Sequence, residues 1–225
     1  MENARKIGNI RDKIEELDNI NFREKSILIS SLIYATDKVA NTCGHYDAYR
    51  RQLDTTQHLK LLMPYLNDNL NKSNEIFQMD ANKLVKEINP DLVYIDTPYN
   101  SRQYGDTYHL LENLAEWKKP EVFGVAKKMK DRKKTKSKYC TVKAANAFKD
   151  LIQNINSKFI LVSYNNMAKK GTGRSNAKIS QEEIIEILTN KGDVKVFSSA
   201  YKPFTTGKSK IFNHKELLYL CKVRN

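Results

Sequence analysis

The chain has few glycines, cysteines and tryptophans, and it has no long apolar run. Of its 225 residues, 8 are glycine, 3 are cysteine and 1 is tryptophan. The longest apolar runs cover about four to six residues, too few to cross a bilayer, so no membrane span is expected. The first residues, MENARKIGNIRDK, carry charge with no apolar core behind them, so no secretory signal is expected either.

The cysteines and histidines form no recognisable ligand set. The cysteines are odd in number and widely spaced: Cys43, Cys140 and Cys221. This pattern gives no disulfide framework and suits a reducing compartment, so we expect a cytoplasmic protein. The four histidines lie at no metal-ligand spacing from them: His45, His58, His109 and His214. No metal site is therefore expected.

Acidic residues are fewer than basic residues, and the formal net charge is +13. Such a surface attracts polyanions, of which nucleic acid is the most common; the alternative is a solubilising coat of lysines. In the segment 127–138, KKMKDRKKTKSK, eight of twelve residues are basic. We expect this basic block to be a mobile loop or arm that contacts phosphates, with Lys133, Lys134 and Lys136 as candidate contacts.

The first third of the sequence predicts helices. Residues 3–17 and 24–42 have helical patterns, and in the second the apolar residues recur at helical spacing. These residues are Ile27, Leu28, Leu32, Ile33 and Val39. An aromatic and basic stretch follows at 41–53, and the segment up to residue 74 is polar. The sequence therefore predicts a helical domain over residues 1–74.

From residue 75 the pattern changes to short apolar runs that alternate with helical segments, which is typical of an α/β sheet. EIFQM is predicted as a brief strand that leads into a helix. LVYI and FILV are strands without polar alternation, so both of their faces are expected to be buried. SQEE at 180–183 is a capping box that opens a helix. VKVFSSAYKPF and ELLYLCKV are predicted to pair as antiparallel strands, so residues 75–225 form an α/β domain.

Polar residues follow three of the predicted strands. They are Asp80, Asp96 and the run Ser163 to Asn166. In open α/β sheets, ligands bind at the carboxyl ends of the strands. A single polar strand end means little, because every strand has to stop. Three such ends with two acids favour a binding site.

The run Asp96-Thr97-Pro98-Tyr99 combines acceptors with a flat aromatic ring. Pro98 restricts Thr97 to an extended conformation, which fixes the direction of the Thr97 carbonyl beside the Asp96 carboxylate. Two acceptors in this arrangement suit an amino group, and Tyr99 offers a face on which a planar ring can stack. The combination describes a pocket for a flipped base that bears an exocyclic amine.

This run, DTPY, resembles the DPPY motif of adenine-specific DNA methyltransferases. The longer run YIDTPYNSRQYGDTYHLLENLAEW resembles the type II adenine methylases of restriction-modification systems, and SKYC, FILVSYNN and YKPF follow in the family's order. The resemblance implies a Rossmann-like class I methyltransferase sheet, here partial, together with a helical target-recognition region at 1–74. It also implies double-stranded DNA as substrate and S-adenosyl-L-methionine as cofactor.

The family's residue roles carry over to the matching positions. Asp96 and the Thr97 carbonyl would bind the target amine, and Tyr99 would stack on the adenine. Asp80 would lie near the adenine of the cofactor. Thr97 departs from the family's first proline, but its carbonyl does the work and Pro98 still restricts it. The acceptors would stabilise the charge that develops on the amine, and no metal is needed.

Contacts with DNA are assigned to basic residues outside the motif. Arg50, Arg51 and Gln52 are candidates for base contacts, although paired arginines are as often phosphate anchors. Arg102, just behind the motif, is a further candidate DNA contact. The only GxG, Gly171-Thr172-Gly173, lies in a basic loop that opens no helix, so it is not expected to bind the cofactor.

The family's Gly-rich FxGxG motif is absent from these residues. We therefore expect the chain to be the catalytic and recognition portion of a split enzyme, with the central strands between EIFQM and LVYI supplied by a second subunit that carries the Gly-rich motif. Without that subunit the chain is expected to be inactive. Two alternatives stay open: a non-catalytic DNA-binding remnant of such a methylase, and a methyltransferase that acts on RNA.

Overall fold

The structure, a computed structural model, describes residues 2–42, 44–48, 50–52, 57–67, 73–132, 135–168, 176–200 and 214–224. The chain divides into two compact units. Residues 1–74 and 104–135 form the first, and residues 75–103 and 136–225 form the second. The unit that begins the chain thus also includes the segment 104–135, which the sequence analysis had grouped with the α/β domain.

The described part of the chain contains seven α-helices and six β-strands. The helices are α1 (Glu2–Glu15), α2 (Phe22–Val39), α3 (Ala81–Leu84), α4 (Tyr104–Thr107), α5 (His109–Glu116), α6 (Ala144–Asn154) and α7 (Gln181–Thr189). The strands are β1 (Leu92–Ile95), β2 (Val122–Phe123), β3 (Lys128–Met129), β4 (Phe159–Asn165), β5 (Gly192–Ala200) and β6 (Lys215–Val223). A short 3₁₀-helix covers Lys138–Cys140.

The first unit is built on α1, α2 and α5, so the two helices predicted near the N-terminus are confirmed with shifted ends. Their apolar faces meet in a small core around Ile14, Leu32 and Leu114. Buried Arg11 donates to the Leu114 carbonyl at 2.8 Å and pairs with Glu15 at 2.6 Å, so its charge is compensated. Leu110 on the same helix is 45% exposed and is not part of this core.

The basic block is not a free arm over its first half. Residues Lys128–Met129 pair with Val122–Phe123 as a two-stranded ribbon. Lys128 pairs with Asp47, Lys130 with Glu121 at 3.0 Å, and Arg132 with Asp106 at 2.6 Å. The prediction of a mobile loop is therefore wrong for these residues, since neighbouring carboxylates compensate their charge. Lys133 and Lys134 lie outside the described residues.

The second unit is a four-stranded sheet with the order β1-β4-β6-β5, which confirms the α/β prediction. Strands β1 and β4 are parallel, whereas β6 is antiparallel to both β4 and β5. The predicted terminal strand pair and the capping box of α7 at Ser180 and Glu183 are confirmed. The strand predicted for EIFQM is wrong: residues 75–79 are exposed and pair with no described strand, and Ile76 is 95% exposed.

The two faces of this sheet are covered unequally. One face packs against α6 and α7 and forms the main core, with Ile160, Val162 and Tyr219 fully buried. We call it the covered face. The alternate residues Leu92, Tyr94 and Phe197 belong to the other face, the open face, and are 47%, 55% and 53% exposed. The prediction that LVYI is buried on both faces is therefore wrong, because β1 is an edge strand with one uncovered face.

Candidate active site

The carboxyl ends of β1 and β4 meet at one edge of the sheet. Ile95 is the last residue of β1 and pairs with Val162, so exposed Asp96 follows at the level of Ser163. Because β6 runs the other way, its first residues, Lys215 and Glu216, lie at this edge too. The sheet thus brings the DTPY run and the end of β4 to the same edge, as the sequence predicted.

Tyr99 is held firmly in place. Its carbonyl accepts hydrogen bonds from the Lys178 N–H at 2.7 Å and from the Tyr164 hydroxyl at 3.3 Å. The Tyr164 hydroxyl accepts in turn from the Ile179 N–H at 3.2 Å. The rings of Tyr99 and Tyr164 meet edge to face, with centroids 6.1 Å apart. Burial raises the pKa of Tyr164 to about 12, so its hydroxyl keeps its proton at neutral pH.

The residues behind the motif are tied to the segment 137–140. Gln103 donates to the Ser137 carbonyl at 3.1 Å, and the Ser137 N–H donates back to the Gln103 side chain at 2.7 Å. The Cys140 thiol donates to the Arg102 carbonyl at 3.2 Å. These bonds place SKYC beside the motif in the fold. Exposed Arg102 is thus placed on an anchored backbone, close in sequence to Tyr99.

The side chain of Thr97, in the DTPY run, has an unusual environment. Its hydroxyl oxygen is buried and has no hydrogen-bond partner among the described residues. A buried hydroxyl without a partner is unfavourable. The side chain that stands where the family has proline therefore makes no hydrogen bond of its own in this structure, and the functional interest of the position stays with its carbonyl.

Asp80 lies at the start of α3 instead of at the end of a strand. Its carboxylate accepts from the Asn82 N–H at 3.0 Å and so caps this helix. Asn82 also donates to Asp150 at 2.6 Å and accepts from the Tyr139 hydroxyl at 2.8 Å, which fastens α3 to α6. Burial raises the pKa of Tyr139, with the charges of Asp80 and Asp150 adding to the effect. Asp80 is exposed, so its carboxylate is accessible to a ligand.

The sequence analysis missed two titratable residues at the same sheet edge. His214 and Glu216 lie at the beginning of β6, with His214 Nε2 3.8 Å from Glu216 Oε1. Burial raises the pKa of Glu216, and the negative charge of Asp96 raises it further. The missed feature was the antiparallel pairing of β6 with β4, which returns HKE to the end of FILVSYNN.

The predicted DNA contacts are scattered and exposed. Arg50, Arg51 and Gln52 lie in a loop of the first unit, and Arg50 donates to the Thr42 carbonyl at 3.3 Å. Lys136 is exposed in the second unit. The loop with Gly171-Thr172-Gly173 and the segment YKPF lie outside the described residues. The role of Arg50, Arg51, Gln52, Arg102 and the lysines of the basic block in DNA binding stays a prediction.

Other site types find little support in the part of the chain that the structure covers. No described helix is long and apolar enough to cross a membrane. Within the same ranges, no group of three or more histidine, cysteine or acidic side chains could hold a metal ion. A cavity of about 940 Å³ lies at the opposite end of the sheet, where Asp91, Lys158 and Lys222 line it.

Comparison with known proteins identifies the class to which this site belongs. The chain belongs to the D12 class N6 adenine-specific DNA methyltransferase family, whose model matches residues 1–170. This assignment confirms the family that the DTPY run and its neighbours predicted. No solved structure matches the chain.

Its relatives include a modification methylase and Type II methyltransferases. The modification methylase StsI of Streptococcus sanguinis is 44% identical over 83% of the chain, which is 28% of that protein. The Type II methyltransferase M.NlaIII of Neisseria lactamica is 32% identical over 95% of the chain and 62% of its own length. M.FokI of Planomicrobium okeanokoites is 35% identical over 93% of the chain and 32% of its length. The chain thus spans 28–62% of these relatives.

Proposed function

We propose that the chain is the catalytic and DNA-recognition portion of a cytoplasmic adenine methyltransferase of a restriction-modification system. The observation that carries the proposal is the DTPY corner at the carboxyl end of a parallel strand, in a chain of this family. In this proposal Asp96 and the Thr97 carbonyl accept hydrogen bonds from the amine of a flipped adenine in double-stranded DNA. Tyr99, fixed through its carbonyl, stacks on the base.

The acceptors act on the electronic state of the amine. The lone pair of the adenine amine is delocalised into the ring, so the nitrogen is a poor nucleophile. Two fixed acceptors favour a tetrahedral nitrogen and stabilise the positive charge that develops as a methyl group arrives. Losing one such preorganised group costs on the order of 100- to 1,000-fold in rate.

S-adenosyl-L-methionine, the donor that the family implies, would supply an electrophilic methyl group on sulfur. The described residues fit it only at one end: exposed Asp80 can accept from its adenine amine. No Gly-rich turn follows a strand in the ranges that the structure covers, and the sequence contains no FxGxG. The described residues offer no other wall for that site.

We propose that a second polypeptide supplies the other walls and adds its strands beside β1. Strand β1 is at the edge of the sheet, and its outer backbone groups pair with no described strand. Parallel strands are normally buried on both faces, whereas Leu92 and Tyr94 are about half exposed. An added parallel strand with its helices would pair that edge and cover the open face. We expect such an interface to exceed roughly 2,000 Å².

The test is transfer of tritiated methyl groups to DNA by the chain together with an FxGxG-bearing polypeptide. Asp96→Ala should abolish transfer while DNA affinity changes little, and Asp96→Asn should retain part of the rate because an amide oxygen still accepts. Asp91→Ala, at the other end of β1, is the matched control and should remain near wild type. Near wild-type transfer by Asp96→Ala would contradict the assignment. Methylation of RNA, but not of DNA of the same sequence, would show that RNA is the substrate.

Base stacking can be tested separately with 2-aminopurine at the target position. Tyr99→Phe should keep the fluorescence change, whereas Tyr99→Ala should lose about 1–3 kcal/mol of base binding. An equal loss in both variants would point to a hydrogen bond from the hydroxyl instead of stacking.

The electrostatic part of DNA binding can be tested with paired lysine variants. Lys136→Gln removes an exposed charge and should flatten the salt dependence by about one unit if it contacts a phosphate. Lys128→Gln removes a charge that already pairs with Asp47, so it should change the salt dependence of DNA binding less. An unchanged slope in Lys136→Gln would assign that lysine to the solvated surface.

A further inference from the structure

Residues Ser137–Cys140, which we call the bridge, contact the backbone just behind the DTPY run. The bridge exchanges two hydrogen bonds with Gln103, at 3.1 and 2.7 Å, and donates one to the Arg102 carbonyl at 3.2 Å. It is itself a tight turn, because the Ser137 hydroxyl accepts from the Tyr139 N–H at 3.2 Å and so caps the 3₁₀-helix. Tyr139 is 8% exposed and belongs to the main core. Its position is therefore fixed relative to the motif.

The side chain of Tyr139 reaches from the bridge to helix α3. Its hydroxyl donates to Asn82 Oδ1 at 2.8 Å. The amide nitrogen of Asn82 donates to the Ala147 carbonyl at 2.8 Å and to the Asp150 carboxylate at 2.6 Å. The oxygen of this amide thus has a donor and both of its hydrogens have acceptors. Asn82 is therefore held in one orientation.

Asn82 in turn holds Asp80. The backbone N–H of Asn82 donates to the Asp80 carboxylate at 3.0 Å. Helix α3 has only four residues, so its own hydrogen bonds stabilise it little and contacts with other elements have to hold it. A chain of hydrogen bonds thus runs from the buried Tyr139 through Asn82 to the exposed carboxylate of Asp80.

We propose that Tyr139 is a positioning residue for the cofactor, which acts through Asn82 on Asp80. This inference rests on the proposed function, in which Asp80 accepts from the adenine amine of S-adenosyl-L-methionine. Because Tyr139 is buried, it contributes by fixing Asp80 relative to the DTPY run instead of by touching the cofactor. A contact at the adenine end, remote from the reacting sulfur, is equally strong in the ground state and the transition state. It therefore sets the affinity for the cofactor and leaves kcat almost unchanged.

The Tyr139 hydroxyl remains a donor at neutral pH. Burial raises its pKa, and the negative charges of Asp80 and Asp150 raise it further, whereas the hydrogen bond to Asn82 has the opposite, smaller effect. The hydroxyl therefore keeps its proton and can donate to Asn82 throughout the neutral range.

The same core contains a matched control for this hydroxyl. Tyr219 is also fully buried there, and its hydroxyl has no hydrogen-bond partner among the described residues. Tyr219→Phe therefore removes a buried hydroxyl, as Tyr139→Phe does, without breaking the link to α3. Asn82→Ala breaks that link from its other end, on the partly buried α3, and decides the matter if Tyr139→Phe does not fold.

The first experiment uses the purified chain without cofactor or DNA. Hydrogen exchange of the Asn82 side-chain amide is followed by NMR. In Tyr139→Phe this amide loses the hydroxyl that orients it, so its exchange should accelerate about tenfold, by the loss of one hydrogen bond. Tyr219→Phe should leave the exchange unchanged. Unchanged exchange in Tyr139→Phe would overturn the inference.

The second experiment titrates S-adenosyl-L-methionine into the chain combined with the FxGxG-bearing polypeptide. Tyr139→Phe and Asn82→Ala should each raise the Kd about tenfold, as expected for one lost hydrogen bond, and Tyr219→Phe should bind like the wild type. In an Asp80→Ala background, Tyr139→Phe should raise the Kd no further, because the group that it positions is gone. A tenfold rise in both backgrounds would overturn the inference, since Tyr139 would then not act through Asp80.

Methyl transfer by the same complex gives an independent measure. Tyr139→Phe should raise KM for the cofactor about tenfold, leave KM for DNA unchanged and keep kcat within about twofold of the wild type. A fall in kcat with an unchanged KM for the cofactor would contradict a role in cofactor affinity.

The outcomes separate this inference from the proposed function. A wild-type complex that binds the cofactor, together with a Tyr139→Phe variant of unchanged Kd, would overturn the inference alone. A wild-type complex that neither binds the cofactor nor methylates DNA would overturn the proposed function and the inference with it. Far-ultraviolet circular dichroism of the variants, matched to wild type, excludes misfolding as the cause of a loss.

Discussion

The covered and open faces of the sheet differ in composition and in surroundings, because the open face carries charged residues such as Asp193 and Lys195 beside its apolar ones. On the covered face, Ile160 and Val162 are fully buried against α6 and α7. On the open face, Leu92 and Tyr94 keep about half of their surface exposed. Burial contributes roughly 25 cal/mol per Å² of apolar surface, so the covered face stabilises the chain itself. The open face leaves part of its apolar surface exposed in this chain.

The largest expected change in stability appears when a phenylalanine packed on the covered face is compared with one on the open face. Phe148 on α6 packs against the covered face and is 1% exposed, whereas Phe197 on the open face is 53% exposed. Phe148→Ala should lower the free energy of unfolding by about 3–5 kcal/mol. Phe197→Ala should lower it by less than about 1 kcal/mol. Urea unfolding measures both, and equal losses would show that the two faces are equally packed.

A smaller effect is expected on the affinity of the open face for the proposed second polypeptide. Tyr94→Thr replaces the aromatic ring in β1 by a β-branched side chain, which also favours strands, so the isolated chain should unfold at nearly the same urea concentration. Association with the FxGxG-bearing polypeptide should weaken by about 2 kcal/mol, because buried tyrosines often dominate interfaces. Tyr65→Thr, at a residue 89% exposed outside the sheet, serves as control. Equal weakening by both variants would remove β1 from the interface.

The next prediction concerns the link from the covered face to the motif. Tyr164→Phe removes the hydroxyl that bonds the Tyr99 carbonyl and leaves the buried Ile179 N–H without this acceptor. We expect a loss of about 1–2 kcal/mol in stability. Amide hydrogen exchange at Ile179 should accelerate by more than this global loss explains. Exchange that follows global stability alone would show that the hydroxyl does not hold the corner.

The smallest change in stability is expected for a substitution in the motif, at Thr97. Thr97→Val replaces the buried hydroxyl, which has no partner among the described residues, by a methyl group of similar size. Stability should rise by about 1 kcal/mol, because an unsatisfied polar group is removed. Thermal unfolding measures the change. A loss of stability would mean that the hydroxyl has a partner in solution.

The sequence predicted those parts of the fold that depend on local pattern. The apolar run FILV became β4, and Ser180 with Glu183 formed the expected capping box. The DTPY corner was also predictable, because Pro98 restricts its own neighbour and the acid follows an apolar strand. In each case the deciding interactions lie within a few residues along the chain.

The features that depend on distant neighbours were missed. EIFQM has the composition of a strand but finds no described strand to pair with, and LVYI has the composition of a central strand but lies at an edge. Glu216 reaches the site only through the antiparallel register with Asn165, which the composition of β6 does not reveal. The ion pairs of Lys128 with Asp47 and of Arg132 with Asp106 likewise depend on acids far away in sequence.

The central claim is that this chain carries the site for the target amine and lacks most of the site for the methyl donor. Isothermal titration of S-adenosyl-L-methionine into the isolated chain tests it most directly. The account predicts no measurable binding to the chain alone and micromolar binding once the FxGxG-bearing polypeptide is added. Micromolar binding to the isolated chain at a stoichiometry of one, followed by methylation of DNA, would contradict it.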